Sequence, residues 1–262
     1  MKISVIVPYK NAAAWLVRCL NSLTDNEGDF EFILVDDGSS DEGPEIARQY
    51  ADIDERFVLL DNEHAPGVSG ARNTGLDVVN GDYTTFLDAD DKYTDNAFYT
   101  LKKGINASKC ANVIQFNHLR HYAEINKTVL KYTNEEGVYK LDNLPDIWFG
   151  VWNKLFRSDF VKDIRFDERL QYGEDGLFVL ECLAVGSDIF HAEKHSVVVV
   201  HSFINKNSLS KVKTSDDLLE QIHVYEEYML SQERPEMRIA YCKELSRLWA
   251  SETFARCFGG KH

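Results

Sequence analysis

The stretch ISVIVPYKNAAAWLVRCLNSLTDNEGDFEFILVDDGSS, residues 3–40, reads as strand, helix, strand. Ile3-Ser4-Val5-Ile6-Val7 is a β-branched run that ends at Pro8, which has no N–H to give to a ladder. From about Ala12 the apolar residues recur at Leu16, Cys19, Leu20 and Leu23, one face of a helix. Phe30 to Val35 is a second apolar strand, and it runs straight into Asp36-Asp37-Gly38. Two apolar strands joined by an amphipathic helix make a βαβ unit, whose strands lie parallel in one sheet.

The alternation continues outward. Ser39, Ser40 and Asp41 offer caps for a helix through Ile46, Ala47 and Tyr50, and Phe57 to Leu60 makes a third strand. A helix is predicted from near Ser69 to Val79, Gly81-Asp82 is a turn, and Tyr83 to Leu87 is a fourth strand ending in Asp88-Ala89-Asp90-Asp91. Open α/β sheets hold their ligands at the carboxyl ends of the strands, so these acidic loops are expected to converge on one rim. Past Lys109 the rhythm changes. Val113 to Asn117 reads as a strand, about His118 to Lys140 as a polar, Tyr-rich hairpin, and Trp148 to Phe156 as an aromatic strand. Glu174 to Val185 reads as an amphipathic helix and Ser196 to His201 as an apolar strand closed by histidine. Thr214 to Phe258 is helical in pattern, with Pro235 separating two helices.

A chain of 262 residues with 44% hydrophobic types suits one sizeable α/β domain with a modest appendage. The net charge of -14 excludes a broad surface for nucleic acid or anionic lipid, and a phosphate ligand here would need a local counter-charge such as a divalent cation. Five cysteines with no CxxC pair make neither a disulfide framework nor a zinc site, and are read as reduced thiols in a cytoplasmic protein. No apolar run of signal-peptide length precedes Ile3, and none approaches the roughly 20 residues of a transmembrane helix, so a soluble protein is expected.

Asp88-Ala89-Asp90 brings two carboxylates to one side of an extended backbone, a hard-oxygen set that suits Mg²⁺ or Mn²⁺ with substrate phosphates. Asp91 adds a third acid, and three so close repel unless a cation or a proton sits among them; the bland alternative is a solvated or capping loop. A carboxylate in Asp36-Asp37 suits a ribose hydroxyl or a base N–H, while Ser40 and Asp41 equally suit a helix N-cap. Gly67-Val68-Ser69-Gly70-Ala71-Arg72-Asn73 puts small residues and one cation at a helix start, without the Gly-Lys-Ser/Thr of a Walker loop.

Taken in order, Ile6-Val7-Pro8-Tyr9-Lys10-Asn11, Val35 to Asp41, Gly70-Ala71-Arg72-Asn73-Thr74-Gly75 and Phe86 to Asp91 resemble the family 2 glycosyltransferases of GT-A fold. Val151-Trp152-Asn153-Lys154-Leu155-Phe156 and Gly173-Glu174-Asp175-Gly176-Leu177-Phe178 resemble the family's bacterial members, extending the likeness to about residue 210. The resemblance implies an α/β GT-A fold, Rossmann-like, with a mainly parallel central sheet flanked by helices and a helical C-terminal extension. It divides the chain into a catalytic domain at 1–210 and an extension at 211–262, with a nucleotide-sugar half at 1–110 and an acceptor half at 111–210.

By the same resemblance Pro8, Tyr9 and Asp37 frame the nucleoside base, Arg72 lies beside the donor, Asp88 contacts ribose or metal, and Ala89 falls at the donor. Asp90 is the principal metal ligand, His201 a late one, Asp175 the catalytic base, and Glu174 a holder of acceptor or donor hydroxyls. Trp152 and Asn153 fall at the acceptor, although Trp148, Phe149 and Trp152 suit a core better than a sugar-stacking cleft. The implied reaction is Mn²⁺- or Mg²⁺-dependent, inverting transfer from a UDP-sugar to a hydroxyl of a glycan, lipid-linked or polymer acceptor. Inversion needs a stabilised leaving group, a base and in-line binding, but no enzyme nucleophile, and no Ser-His or Cys-His arrangement stands out. Rival readings are a non-catalytic nucleotide-sugar binder, a receiver-like domain of about half this length, and a sugar-1-phosphate nucleotidyltransferase. The last would want a glycine-rich basic loop where Tyr9-Lys10-Asn11-Ala12 stands. The C-terminal helices have no strong basic face, and peripheral membrane contact or oligomerisation through them stays open.

Overall fold

The computed structural model describes residues 1–25, 28–122, 126–131, 135–140, 150–186, 188–193, 196–203, 215–233, 237–238 and 240–242. The first part alternates as expected: β1 (Ile3–Tyr9), α1 (Ala13–Thr24), β2 (Phe30–Asp36), α2 (Gly43–Ala51), β3 (Phe57–Asp61), α3 (Val68–Asp77) and β4 (Tyr83–Phe86). These strands run parallel in the order β3-β2-β1-β4. There follow β5 (Lys92–Tyr93), α4 (Ala97–Ala107), β6 (Val113–Gln115), β7 (Asn117–Tyr122), β8 (Lys127–Lys131), β9 (Gly137–Tyr139), β10 (Lys154–Arg157) and α5 (Ser158–Val161). The chain continues through α6 (Glu174–Ala184), β11 (Ile189–His191), β12 (Val197–Phe203) and α7 (Ser215–Ser231).

The large sheet extends past β4 through β10, β6, β11 and β9, with β10 antiparallel to both of its neighbours. A second sheet has the order β5-β12-β7-β8. The expected strand at Val113–Asn117 breaks at Phe116, where the chain changes sheets and the Phe116 amide donates to the Asn153 carbonyl at 2.8 Å. Of the expected strand at Trp148–Phe156, the described part from residue 150 opens with a turn, closed by the Lys154 amide on the Val151 carbonyl (3.1 Å), that leads into β10. Trp148, Phe149 and Pro235 lie outside the described residues, as does most of the C-terminal helical pattern after Cys242. No helix among the described residues is long and apolar enough to cross a membrane.

Alternation along β1 feeds two cores. Ile3, Val5 and Val7 pack with Leu16, Leu20 and Leu23 of α1 and Leu101 and Ile105 of α4, while Ile6 packs on the other face with Ala71, Leu177 and Phe178. On that second face the rings of Phe86, Phe156, Phe166 and Phe178 interlock, with Phe166 and Phe178 stacked at 4.2 Å between centroids. Each ring buried in this way contributes about 1.5–3 kcal/mol. The cluster fixes α6 against β4 and β10, and so fixes where Glu174 and Asp175 stand.

Candidate active site

β1 runs two residues further than its sequence suggests, through Pro8 to Tyr9. In a parallel strand successive residues bond to opposite neighbours. Ile3 donates towards the β2 side and Tyr9 accepts from Asp37 there, while Ile6 accepts from Leu87 on the β4 side. Pro8 therefore faces β4, beyond the point where that chain turns away at Asp88, and its missing N–H leaves no gap in a ladder. The same divergence opens the crevice between the ends of β1 and β4.

Around the crevice the β2 loop is held by its own acids. Asp36 accepts from the amide and hydroxyl of Ser39 (2.9 and 2.6 Å). Asp41 does not cap α2 by the usual offset; it accepts from the Ala13 amide at the start of α1 (2.8 Å) and from the Gly43 amide (2.9 Å). Ser40 is fastened to the Asn11 side chain at 2.8 Å rather than capping a helix. Asp37 Oδ1 accepts from the Gly67 amide (3.0 Å) and from Asn62 (2.7 Å), and its Oδ2 from Lys10 (3.0 Å). Burial works against its charge, but these donors outweigh it and hold the carboxyl below the usual aspartate range. Gly67 adopts a φ of 128°, open to glycine alone without strain, and this turns its amide onto Asp37. Tyr9 and Pro8 are buried beside it, and burial followed by the charges of Asp36 and Asp61 keeps the Tyr9 phenol protonated.

Arg72 is the hub of the site. It is buried, with its side chain 3% exposed. Nη1 donates to Glu174 Oε1 (2.8 Å) and Asp175 Oδ1 (2.6 Å), and Nη2 to Asp88 Oδ1 (3.0 Å). Its guanidinium carbon lies 5.2 Å from the centre of the Phe166 ring. Burial alone would discharge it, but Asp175, Asp88 and Glu174 together keep it firmly protonated. The arginine thus ties the end of β4 to the first turn of α6, two segments 86 or more residues apart in sequence (Asp88 to Glu174).

Asp88, Asp90 and Asp91 each offer an oxygen, and these oxygens lie within 4.8 Å of one another. A tight turn brings them together: the Asp91 amide donates to the Asp88 carbonyl at 2.9 Å, and Arg18 fastens the Asp90 carbonyl from α1. Ala89 between them is buried. The donor set is all carboxylate oxygen, which fits Mg²⁺ or Mn²⁺. His201 lies in β12, paired with Arg120 in the second sheet, and its side chain is outside the described residues.

Burial pushes the Asp175 carboxyl up to about 8, with Glu174 and Asp88 adding to the rise, while Arg72 and the Val151 amide at 3.3 Å pull the other way. A carboxylate poised near neutrality is suited to taking a proton. Trp152 and Asn153, expected at the acceptor, point inward instead. Trp152 is 5% exposed and meets the edge of His118 at 4.6 Å, and Asn153 donates to the Phe116 carbonyl at 2.9 Å. Both are spent on internal contacts because Phe116 and Asn153 bridge the point where the chain changes sheets.

Two residues escaped the sequence reading. Asn73 exchanges hydrogen bonds with the Phe166 backbone in both directions (3.0 and 2.9 Å), imitating a strand pair that covers α3. Lys154 is 1% exposed, with Nζ on the Gly150 carbonyl (2.6 Å) and Asn153 Oδ1 (3.1 Å). Its signal was present: it is one cation inside the apolar run Val151-Trp152-Asn153-Lys154-Leu155-Phe156.

A family model described as Glycosyl transferase family 2 matches residues 4–161. Among curated relatives the chain is 30% identical over 228 residues to the glycosyltransferase GlyA of Streptococcus pneumoniae, a match covering 81% of this chain and 32% of that protein. It is 31% identical over 190 residues to the uncharacterized glycosyltransferase EpsJ of Bacillus subtilis, covering 68% of this chain and 55% of that one. The chain thus spans well under two thirds of either relative. Among solved structures, S. aureus TarS 1-349 in complex with UDP-GlcNAc superposes with a TM-score of 0.81 at 22% identity, over 97% of this chain and 75% of that one.

Proposed function

The chain belongs to glycosyltransferase family 2, and from that we propose that it is an inverting, metal-dependent transferase moving a sugar from a UDP-sugar to a hydroxyl of a glycan, lipid-linked or polymer acceptor. The observation that carries this is Arg72, which joins the Asp88-Asp90-Asp91 cluster to Glu174 and Asp175 in one crevice. One end of that crevice suits a diphosphate with its cation, and the other suits an attacking hydroxyl.

Pro8, Tyr9 and Asp37 flank the base, and Asp37 Oδ2, with one lone pair left beside Lys10, accepts a base N–H. Asp88, Asp90 and Asp91 would hold Mn²⁺ or Mg²⁺, which when bound stabilises negative charge on the departing diphosphate. Asp175 accepts the proton of the acceptor hydroxyl as its oxygen bonds to the anomeric carbon. The bond from that carbon to the diphosphate oxygen breaks, and its electron pair leaves with UDP. Glu174 steadies a sugar hydroxyl from the same helical turn. UDP as the nucleotide is supported by the UDP-GlcNAc complex of TarS. Residues 1–110 form the donor half and 111–210 the acceptor half, with the helices after 211 as an extension.

Calorimetry and free-nucleotide release with a panel of UDP-, GDP-, dTDP- and CMP-sugars, with and without Mn²⁺, test the reading. One UDP-sugar is expected to bind only with the metal and to release UDP. Asp175→Asn is expected to keep that binding and to lose about 10²–10⁴-fold in transfer, the usual contribution of a general base. Donor binding indifferent to chelation, or full transfer by Asp175→Asn, would overturn it.

A further inference from the structure

We propose that Lys154 is a positioning residue for Asp175, acting through the Gly150–Val151 peptide. The inference rests on the reading of Asp175 as the base. Lys154 Nζ grips the Gly150 carbonyl at 2.6 Å, and the amide of that same peptide unit, Val151 N–H, donates to Asp175 Oδ2 at 3.3 Å. Asn153 Oδ1 takes a second bond from Nζ at 3.1 Å, and the Lys154 amide closes the turn on the Val151 carbonyl at 3.1 Å. The lysine therefore clamps both ends of a four-residue turn whose one inward amide meets the base. Arg72 holds Asp175 Oδ1 from the other side at 2.6 Å, so the two oxygens of one carboxylate have separate anchors.

A buried cation is an expensive way to fill space, since an apolar side chain of the same length would pack at least as well. Lys154 is 1% exposed, and the acid it answers to is Asp175: burial pushes the ammonium down to about 7, and the Asp175 charge resists that fall. Burial holds the His191 imidazole uncharged, down at about 4, with its Nε2 2.8 Å from Gln115.

The test is Lys154→Met in the full chain, alongside Asp175→Asn, with steady-state transfer, UDP affinity by calorimetry in Mn²⁺, and a crystal structure of the variant. Expected are a fall in kcat of about ten- to a hundredfold, the scale of a misplaced catalytic group, with donor KM and UDP affinity held within about twofold. The structure is expected to lose the Val151 N–H bond to Asp175. If Lys154→Met does not fold, Lys154→Gln, whose amide still reaches towards the Gly150 carbonyl, takes its place and is expected to lose less of kcat. Wild-type kcat in the variant, an unmoved Asp175, or parallel losses of kcat and UDP affinity would overturn the proposal. Full transfer by Asp175→Asn would instead remove the base assignment beneath it.

Discussion

At the scale of the residue, the site turns on what surrounds a single guanidinium. Arg72 meets Asp88, Glu174 and Asp175 while almost wholly withdrawn from water, so its fork geometry, not its charge alone, sets the three carboxylates in place. Arg72→Met leaves those acids without their partner, and removing one member of a buried ion cluster destabilises by about 3–5 kcal/mol. Arg72→Lys keeps a charge but has no fork, and is expected to fall between the two in urea denaturation and to lose transfer almost as fully. Equal stability of Arg72→Met and wild type would show the hub to be idle. The residues of this cluster were legible in the motifs; the role of Arg72 was not, because a motif gives spacing along the chain and burial is decided by Phe166 and α6, far away in sequence. Trp152 and Asn153 misled for the same reason: aromatic and amide groups near a site look like sugar contacts until their partners, His118 and Phe116, are known.

At the scale of the element, the β3–α3 loop lies against Asp37 and is pinned from outside. His64 sits between Asp77 of α3 (2.9 Å) and Glu168 of the loop after α5 (2.8 Å), with Arg165 also on Asp77 at 2.7 Å. Its amide reaches Asn62 Oδ1 at 3.0 Å, and Asn62 in turn holds Asp37. A Cβ at Gly70 would run into the Ala65 carbonyl, which is how closely α3 approaches this loop. The Asp77 hydrogen bond, opposed by burial and helped by Glu168, raises the His64 pKa above its ordinary 6.5. The folded protein therefore holds a proton that the unfolded chain releases. The stabilisation is complete below about 6.5 and fades as the pH rises through the higher folded value. Urea midpoints at about pH 5.5 and about pH 9 are expected to differ less in His64→Ala than in wild type, and UDP affinity is expected to weaken in that variant. An unchanged difference between the two midpoints would mean that His64 clamps nothing. Period revealed the alternating elements before residue 90, whereas the expected caps Ser40 and Asp41 hold loops instead; α4 is not foreseen although Ala97, Leu101 and Ile105 carry a helical spacing, and β5 is too short for any period to show.

At the scale of the molecule, α7 packs against α6, the helix that carries Glu174 and Asp175. α7 carries Leu218, Ile222 and Tyr225 into the core that holds Phe178 and Leu177 of α6. Tyr225 donates its hydroxyl to the Gly173 carbonyl at 2.7 Å, and Gly173, at a φ of 78°, is the left-handed residue that launches α6 into Glu174 and Asp175. Gln221 of the same helix packs so closely on Gly173 that a Cβ there would overlap it. Helical periodicity announced α7 but not its partner, since an apolar stripe says that a face is buried and not against what. The consequence is a coupling between a distant helix and the first turn of α6, where the proposed base stands. Tyr225→Phe removes one hydrogen bond, worth about 1 kcal/mol, and a chain of this size is expected to melt about 2–4 °C lower. Because Gly173 directs the first turn of α6, which carries Glu174 and Asp175, the same change is expected to lower kcat several-fold while leaving UDP affinity in Mn²⁺ unaltered. A matching loss in both would place the effect of α7 on the whole fold, and no loss in either would mean that the packing of Leu218 and Ile222 holds α6 without the hydroxyl.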